Sequence, residues 1–167
     1  MTKNENQKSA PINRTYFLVV VVLTFIFPFI GFITEHFEKD TEFTFQLFGK
    51  WFIFSAVGLR LLLAGIRQSV NPAFTARQIF DITSSECYPI IRELGFANLC
   101  FGLVGVISLF KPEWRIVSAF ASGLYFGIAG LQHIIKKPVG PNEQLALWTD
   151  LVIFAVLMGY LCITYNL

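Results

Sequence analysis

The sequence predicts an all-α integral membrane protein: a helical bundle of five transmembrane helices plus one short amphipathic helix at the membrane interface. Hydrophobic residues make up 54% of the 167 residues and charged residues only 14%, whereas a soluble domain has about 25% charged residues. Five apolar stretches are also long enough to cross a bilayer, which takes about 20 residues of helix. A β-barrel is excluded because its strands alternate between apolar and polar residues, and these stretches are apolar on every face.

The first stretch carries no charge and contains Pro28, which predicts a kink. Its apolar part has the length of a span and no cleavage motif follows, so it is interpreted as a retained helix and not as a signal peptide. The third stretch is unusual because Arg92 and Glu93 lie side by side within it. The predicted spans are Tyr16–Ile33, Phe48–Ile66, Tyr88–Phe110, Trp114–Ile135 and Leu145–Tyr165.

The longest connector, residues 67–87, predicts the interfacial helix. Asn71 and Pro72 mark a turn, and Ala73, Phe74 and Ala76 begin a helical apolar stripe that continues to Ile82. Such a stripe is typical of a helix lying on the membrane surface; an irregular loop is the alternative. Residues 1–14 form a polar, basic leader predicted to be disordered, and residues 15–167 form a single transmembrane domain.

Positive residues favour the cytoplasmic side of a membrane protein. With the N-terminus inside, eight lysines and arginines lie on the cytoplasmic side and four lie outside. The sequence therefore predicts a plasma-membrane protein with a cytoplasmic N-terminus and an external C-terminus. The inside set is Lys3, Lys8, Arg14, Arg67, Arg77, Arg92, Lys136 and Lys137, and the outside set is Lys39, Lys50, Lys111 and Arg115.

This topology places several polar groups of different spans at one depth near the cytoplasmic side. Arg60 lies six residues from the inner end of its span, which is about 9 Å of helix. Ionisable groups within a span usually face the bundle interior and pair with one another, so we expect Arg60 to pair with Glu93. Asp150 could pair with Arg60, Arg92 or His133. The candidate intramembrane polar site consists of Arg60, Glu93, Asn98, His133 and Asp150.

Two interpretations of this layer remain open. It could be a clamp between helices that fixes their packing, with Arg92 reaching back to the interface, or a polar site open to the cytoplasm for a proton or a small solute. A dry, fully paired cluster favours the clamp, whereas a cavity reaching the carboxylates favours transport.

No motif points to catalysis, a cofactor, a metal or nucleic acid. The three cysteines are scattered without a C-x-x-C pair, and the two histidines, His36 and His133, fall on opposite sides. Gly123 and Gly127 form a G-x-x-x-G motif, which permits close helix contact. Packing between the third and fourth spans is the expected use of these glycines and of Gly95 and Gly102, and contact between copies through Gly123 and Gly127 is also possible.

Four segments resemble a family of small prokaryotic multi-pass membrane proteins known only as a domain of unknown function. The segments are NPAFTARQIFDI at 71–82, IRELGFANLCFGLVGVIS at 91–108, GLYFGIAGLQHI at 123–134 and NEQLALWTDL at 142–151. The resemblance covers roughly residues 45–165. It implies a helical membrane protein and supplies no activity, substrate or cofactor.

Three hypotheses for function follow. The first is a structural or accessory membrane protein held together by the polar layer. The second is a transporter or channel-like protein for a small solute or protons. The third, an intramembrane enzyme using Glu93, His133 or Asp150 as an acid or base, is weakest because no nucleophile or cofactor accompanies them.

Overall fold

The computed structural model describes residues 11–137 and 140–166, and every regular element in these ranges is helical. Five of the six main helices are long and apolar enough to span a membrane, which confirms the predicted fold class. The helices are α1 Arg14–Lys39, α2 Phe45–Val70, α3 Pro72–Gln78, α4 Tyr88–Ile107, α5 Trp114–Lys136 and α6 Pro141–Tyr165. One 3₁₀ turn, Ser85–Cys87, precedes α4.

The five long helices alternate in direction, which gives the bundle two ends. At the N-terminal end, the Asn13 backbone N–H donates to Asn142 Oδ1 at 2.8 Å and ties the start of α1 to the start of α6. At the C-terminal end, Lys50 of α2 contacts Glu35 of α1. The predicted disordered leader, residues 1–14, mostly lies outside the described residues; Asn13 already caps α1 by accepting from the Tyr16 N–H.

The proline in α1 is accompanied by a change of helix type. Residues Val22–Ile26 form a π-helical turn in which the Phe27 N–H donates to the Val22 carbonyl. The next N–H in this pattern would belong to residue 28, and Pro28 has none. This leaves the Leu23 carbonyl without its donor. The Ser55 hydroxyl of α2 donates to that carbonyl at 2.6 Å, so a side chain of the neighbouring helix replaces the missing backbone donor.

Helix α2 is the centre of the bundle and meets α4 through glycines. A Cβ on Gly58 would lie 2.8 Å from the Val106 N, and one on Gly102 would lie 2.6 Å from the Leu62 N. Gly65 and Gly95 approach each other in the same way. The small residues of α4 therefore serve the contact with α2, and the prediction that they pack against the fourth span is wrong.

The glycines of α5 face α6. A Cβ on Gly127 would lie 2.7 Å from Phe154 Cδ2, one on Gly130 would lie 2.7 Å from Leu151 Cδ2, and one on Gly123 would collide with Met158. The Gly123 and Gly127 face is thus covered within the protomer. Contact between copies stays a prediction.

The short helix predicted in the longest connector is present as α3. It ends at Gln78, earlier than the apolar stripe suggested, and Asp81 turns the chain with a φ of 54°. Pro72, Thr75 and Ala76 of α3 are buried, so one face of α3 packs on the bundle. Its position on the membrane surface stays a prediction.

An apolar core occupies the middle of the bundle and its C-terminal half. Phe52, Ile53 and Val57 of α2 are at most 2% exposed and pack among residues of α5 and α6. Ile153 and Leu157 of α6 are fully buried in the same cluster. Polar groups that lie beyond this core toward the N-terminal end are therefore separated from the C-terminal end by packed side chains.

Candidate functional site

Arg60 is the polar group at the centre of the site. It follows directly after a seven-residue π-helical segment of α2, Ile53–Leu59, and such segments occur frequently at functional sites. The residue is 9% exposed. Nη2 donates to Asp150 Oδ1 at 3.1 Å and to the Thr149 hydroxyl at 3.0 Å, and the ring of Phe126 lies 5.3 Å away.

The predicted pair of Arg60 with Glu93 is wrong. Glu93 is exposed, and it makes no ion pair among the residues that the structure describes. The buried face of α4 is instead formed by Ile91, Gly95, Asn98, Gly102 and Gly105. Glu93 lies off this face because residues five apart, such as Glu93 and Asn98, point about 140° apart around a helix. Arg92 is also exposed.

Asn98 is the member of α4 that reaches the site. It is 3% exposed, and its Nδ2 donates to Gln68 Oε1 of α2 at 2.7 Å. Tyr125 of α5 and Tyr16 of α1 line the same cavity as Asn98 and Arg60. Four of the long helices therefore contribute polar groups around Arg60 and Asn98, and α6 adds Asp150.

His133 lies at the edge of the site in a second ionic cluster. Its Nδ1 is 3.3 Å from Glu143 Oε1, and Lys136 Nζ lies 2.9 Å from the same oxygen. Glu143 is 1% exposed in the first turn of α6, where the helix dipole stabilises a negative charge. Lys136 also donates to the Phe80 carbonyl at 3.2 Å, so this cluster fastens the segment after α3.

A cavity of about 840 Å³ is lined by Arg60, Asn98, His133, Lys136 and Asp150. Its walls come from all five long helices and from the α3 region, and are mostly apolar. The volume falls in the range of about 300–1,000 Å³ that holds small organic ligands. Four of the five predicted site residues, Arg60, Asn98, His133 and Asp150, line this cavity; Glu93 does not.

The cavity has a polar floor and a cationic rim. Arg60, Asp150 and Asn98 form the floor, while Arg67 and Lys136 lie toward the N-terminal end. Arg60 and Arg67 are seven residues apart, so they lie on one face of α2 about 10 Å apart along its axis. Arg67 covers the ring of Phe74 of α3, with Cζ 3.4 Å from the ring centroid.

Two atoms of the floor are not satisfied by the protein. Arg60 Nη1 and Asn98 Oδ1 are buried and have no hydrogen-bond partner among the described residues. A buried polar group without a partner costs about 1–3 kcal/mol. The polar layer is therefore incompletely paired within the described residues, and both residues line the cavity.

Sequence reasoning missed several residues of this site. Arg67, Gln68, Tyr16, Tyr125 and Thr149 all contact its polar groups or line the cavity. A signal was present for Arg67 and Gln68, since positions seven and eight residues after Arg60 return to the same helix face.

Within residues 11–137 and 140–166, no group of three histidine, cysteine or acidic side chains could hold a metal ion.

Comparison with known proteins gives a family and no activity. Residues 14–167 match the model of a family described as a family of unknown function, DUF6790. No curated protein and no solved structure matches the chain.

Proposed function

We propose that this chain, which belongs to the DUF6790 family of unknown function, binds a small amphipathic molecule inside the membrane, as the binding step of a carrier. The observation that carries the proposal is the cavity of about 840 Å³, whose mostly apolar walls converge on the polar side chains of Arg60, Asn98 and Asp150. Apolar walls with a few convergent polar groups are typical of small-molecule sites.

The closed core supports a carrier better than a channel. Phe52, Ile53 and Ile153 are at most 2% exposed and pack beyond the floor, so the cavity does not continue toward the C-terminal end. A ligand would enter from the N-terminal end or from the lipid and stop at Arg60.

A purely structural role is the second candidate, and the Arg60–Asp150 pair favours it. An interhelical ion pair of this kind would hold α2 against α6 without any ligand. The two candidates differ in one respect. A structural clamp does not depend on the cavity, so a side chain that fills the cavity would leave a structural role intact.

Labelling with photoreactive alkyl probes tests the proposal. The purified protein in lipid nanodiscs is irradiated with ten-carbon probes that carry a mid-chain diazirine and an alcohol, carboxylate or amine head group. We expect at least one probe to label peptides containing residues 60–68 or 125–133, and excess unlabelled analogue to suppress that labelling. Labelling spread evenly over lipid-facing residues, without competition, would reject the binding function.

A pair of matched variants locates the site. Ala129 lines the cavity, so Ala129→Phe should block labelling by filling it. Ala155 is exposed on α6, so Ala155→Phe adds the same ring on the outer surface and should leave labelling unchanged. Equal labelling of both variants would contradict the location.

We also propose that the protein lies in the plasma membrane with the N-terminal end in the cytoplasm, on the basis of the excess of positive residues at that end. Single cysteines at Glu42 and Thr83, both exposed in connectors, test this in a background with Cys87, Cys100 and Cys162 changed to serine. An impermeant maleimide should label Glu42→Cys in intact cells and Thr83→Cys only after permeabilisation. The reverse pattern would invert the topology.

A further inference from the structure

We infer that the cavity takes its ligand from the hydrocarbon region of the bilayer, through a lateral opening near the N-terminal end of the bundle. The ligand is then a lipophilic amphiphile that dissolves in the membrane, and not a water-soluble solute. This inference rests on the proposed binding function and names the source and the class of the ligand. Two lipid-facing helix surfaces and the covered N-terminal end of the cavity support it.

The outer face of α5 shows that the cavity reaches the lipid-facing surface. The large exposed apolar side chains of α5 recur every three or four residues, which is the spacing of one helix face. Because α5 is long and apolar enough to span the membrane, this face lies against lipid. Ile128 belongs to the face, is 67% exposed and also lines the cavity. The face consists of Val117, Phe120, Leu124, Ile128, Leu131 and Ile135.

The outer face of α2 repeats this arrangement. Leu63 and Ile66 are about half exposed and also line the cavity, and Val70 continues the same exposed face. Leu63 lies seven residues before Val70, the last residue of α2, which is about 10 Å of helix. Ile128 lies eight residues before Lys136, the last residue of α5, which is about 12 Å. One leaflet supplies about 15 Å of the hydrocarbon core, so the opening faces acyl chains.

The end of the cavity nearest the aqueous phase is covered by α3 and the segment that follows it. Phe74, Ile79 and Phe80 of this region line the cavity. Helices α2 and α5 hold the region in place, since Arg67 covers the Phe74 ring and Lys136 donates to the Phe80 carbonyl at 3.2 Å. A ligand from the aqueous side would have to displace this region, whereas a ligand from lipid meets side chains that are already exposed.

The chemistry of the opening defines the class of ligand. Leu63, Ile66 and Ile128 offer no hydrogen-bonding atom in their side chains. A charged or strongly hydrated molecule would lose its water at this point without any replacement, which is costly. A molecule with a long apolar body concentrates in the bilayer before it binds, and its apolar part can cross the opening without that cost.

Thiol reactivity tests the opening without any ligand. Ala129 lines the cavity, and Ala129→Cys is prepared with Cys87, Cys100 and Cys162 changed to serine. In nanodiscs, we expect a decyl maleimide, which dissolves in the bilayer, to modify Ala129→Cys about as fast as it modifies a protein that keeps only the exposed Cys100. A sulfonated maleimide should modify Ala129→Cys at least about tenfold more slowly than Thr83→Cys, because its charge keeps it out of the hydrocarbon region. Failure of the decyl reagent at Ala129→Cys would overturn the inference.

Blocking the opening tests the route. Leu63→Trp combined with Ile128→Trp places two indoles at the opening, and we expect the ten-carbon diazirine alcohol to label the cavity at least about tenfold more slowly after mixing. Val117→Trp combined with Leu131→Trp adds the same rings to the outer face of α5 away from the cavity and should leave the rate unchanged. Equal rates for the two double variants would overturn the inference. If the indoles at the opening lower the final extent of labelling, the thiol experiment decides.

The two proposals fail in different ways. Absence of competed labelling by the alkyl probes would reject the binding function, and thiol reactivity would still decide whether the opening exists. Modification of Ala129→Cys by the sulfonated maleimide as fast as that of Thr83→Cys would show an opening to water. That result would keep the binding function and overturn the bilayer as the source of the ligand.

Discussion

Two buried ion pairs join helices at opposite ends of the bundle, and they are built differently. At the C-terminal end, Glu35 receives Lys50 at 2.6 and 2.5 Å, the Trp51 Nε1 at 2.8 Å and Lys39 at 3.2 Å. At the N-terminal end, Arg60 binds Asp150 and Thr149 through Nη2 alone. Both carboxylate oxygens of Glu35 are satisfied, whereas Arg60 Nη1 is buried without a hydrogen-bond partner among the described residues.

Their surroundings differ in the same sense. Glu35 accepts from the Trp51 indole, whose ring packs against Gly31 of the same helix pair. Arg60 faces a cavity of about 840 Å³. A buried charged group acts as a structural clamp when neighbouring side chains satisfy all of its hydrogen bonds and fill the space around it. It becomes a candidate binding site when a hydrogen-bonding atom remains unsatisfied and a cavity lies beside the group.

The largest effect should come from breaking the clamp. Glu35→Ala leaves Lys50 and the Trp51 indole without their acceptor, and losing one partner of a buried pair costs about 3–5 kcal/mol. We expect a fall of roughly 10 °C in the thermal unfolding midpoint in detergent, with cavity labelling retained in nanodiscs. Glu38→Ala, at an exposed position of the same helix, is the control. Equal midpoints for the two variants would show that Glu35 is no clamp.

A smaller loss of stability and a change of ligand should follow Asp150→Asn. The amide keeps the shape of the side chain and an oxygen that can accept from Arg60 but removes the negative charge, so we expect a cost of about 1–3 kcal/mol. The floor then becomes positive, and the carboxylate probe should gain at least tenfold relative to the alcohol. Glu93→Gln removes an exposed carboxylate and should change neither quantity. An unchanged probe preference in Asp150→Asn would argue against a ligand at Arg60.

The smallest expected effect comes from single hydroxyl groups, one with a hydrogen-bond partner and one without. Ser55 donates to the Leu23 carbonyl, whereas the Ser118 hydroxyl is buried without a partner among the described residues. Ser55→Ala should lower the free energy of unfolding by about 1 kcal/mol, and Ser118→Ala should leave it unchanged or raise it. Both are read from unfolding in a denaturing detergent. The opposite ranking would show that satisfied hydrogen bonds do not distinguish the two positions.

The sequence offered the Arg60–Asp150 pair as one of several alternatives but did not predict the partner of His133. Arg60 contacts Asp150, whereas His133 contacts Glu143, seven residues nearer the start of α6. The direction of each side chain around its helix depends on packing. For α4 the glycines carried that information, since Gly95, Gly102 and Gly105 share a face with Asn98 and exclude Glu93. The cavity itself was not predictable, because its volume depends on how five helices and α3 fit together.

The repair of the Leu23 carbonyl by Ser55 has a consequence for how the chain enters the membrane. A helix that leaves the insertion machinery alone would carry an unmet carbonyl into lipid, at a cost of several kcal/mol. Only α2 brings the missing donor, and a connector of five residues, 40–44, separates the two helices. We therefore expect α1 and α2 to insert together as a hairpin. Because of Pro28, α1 becomes stable in the bilayer only when α2 supplies the Ser55 hydroxyl.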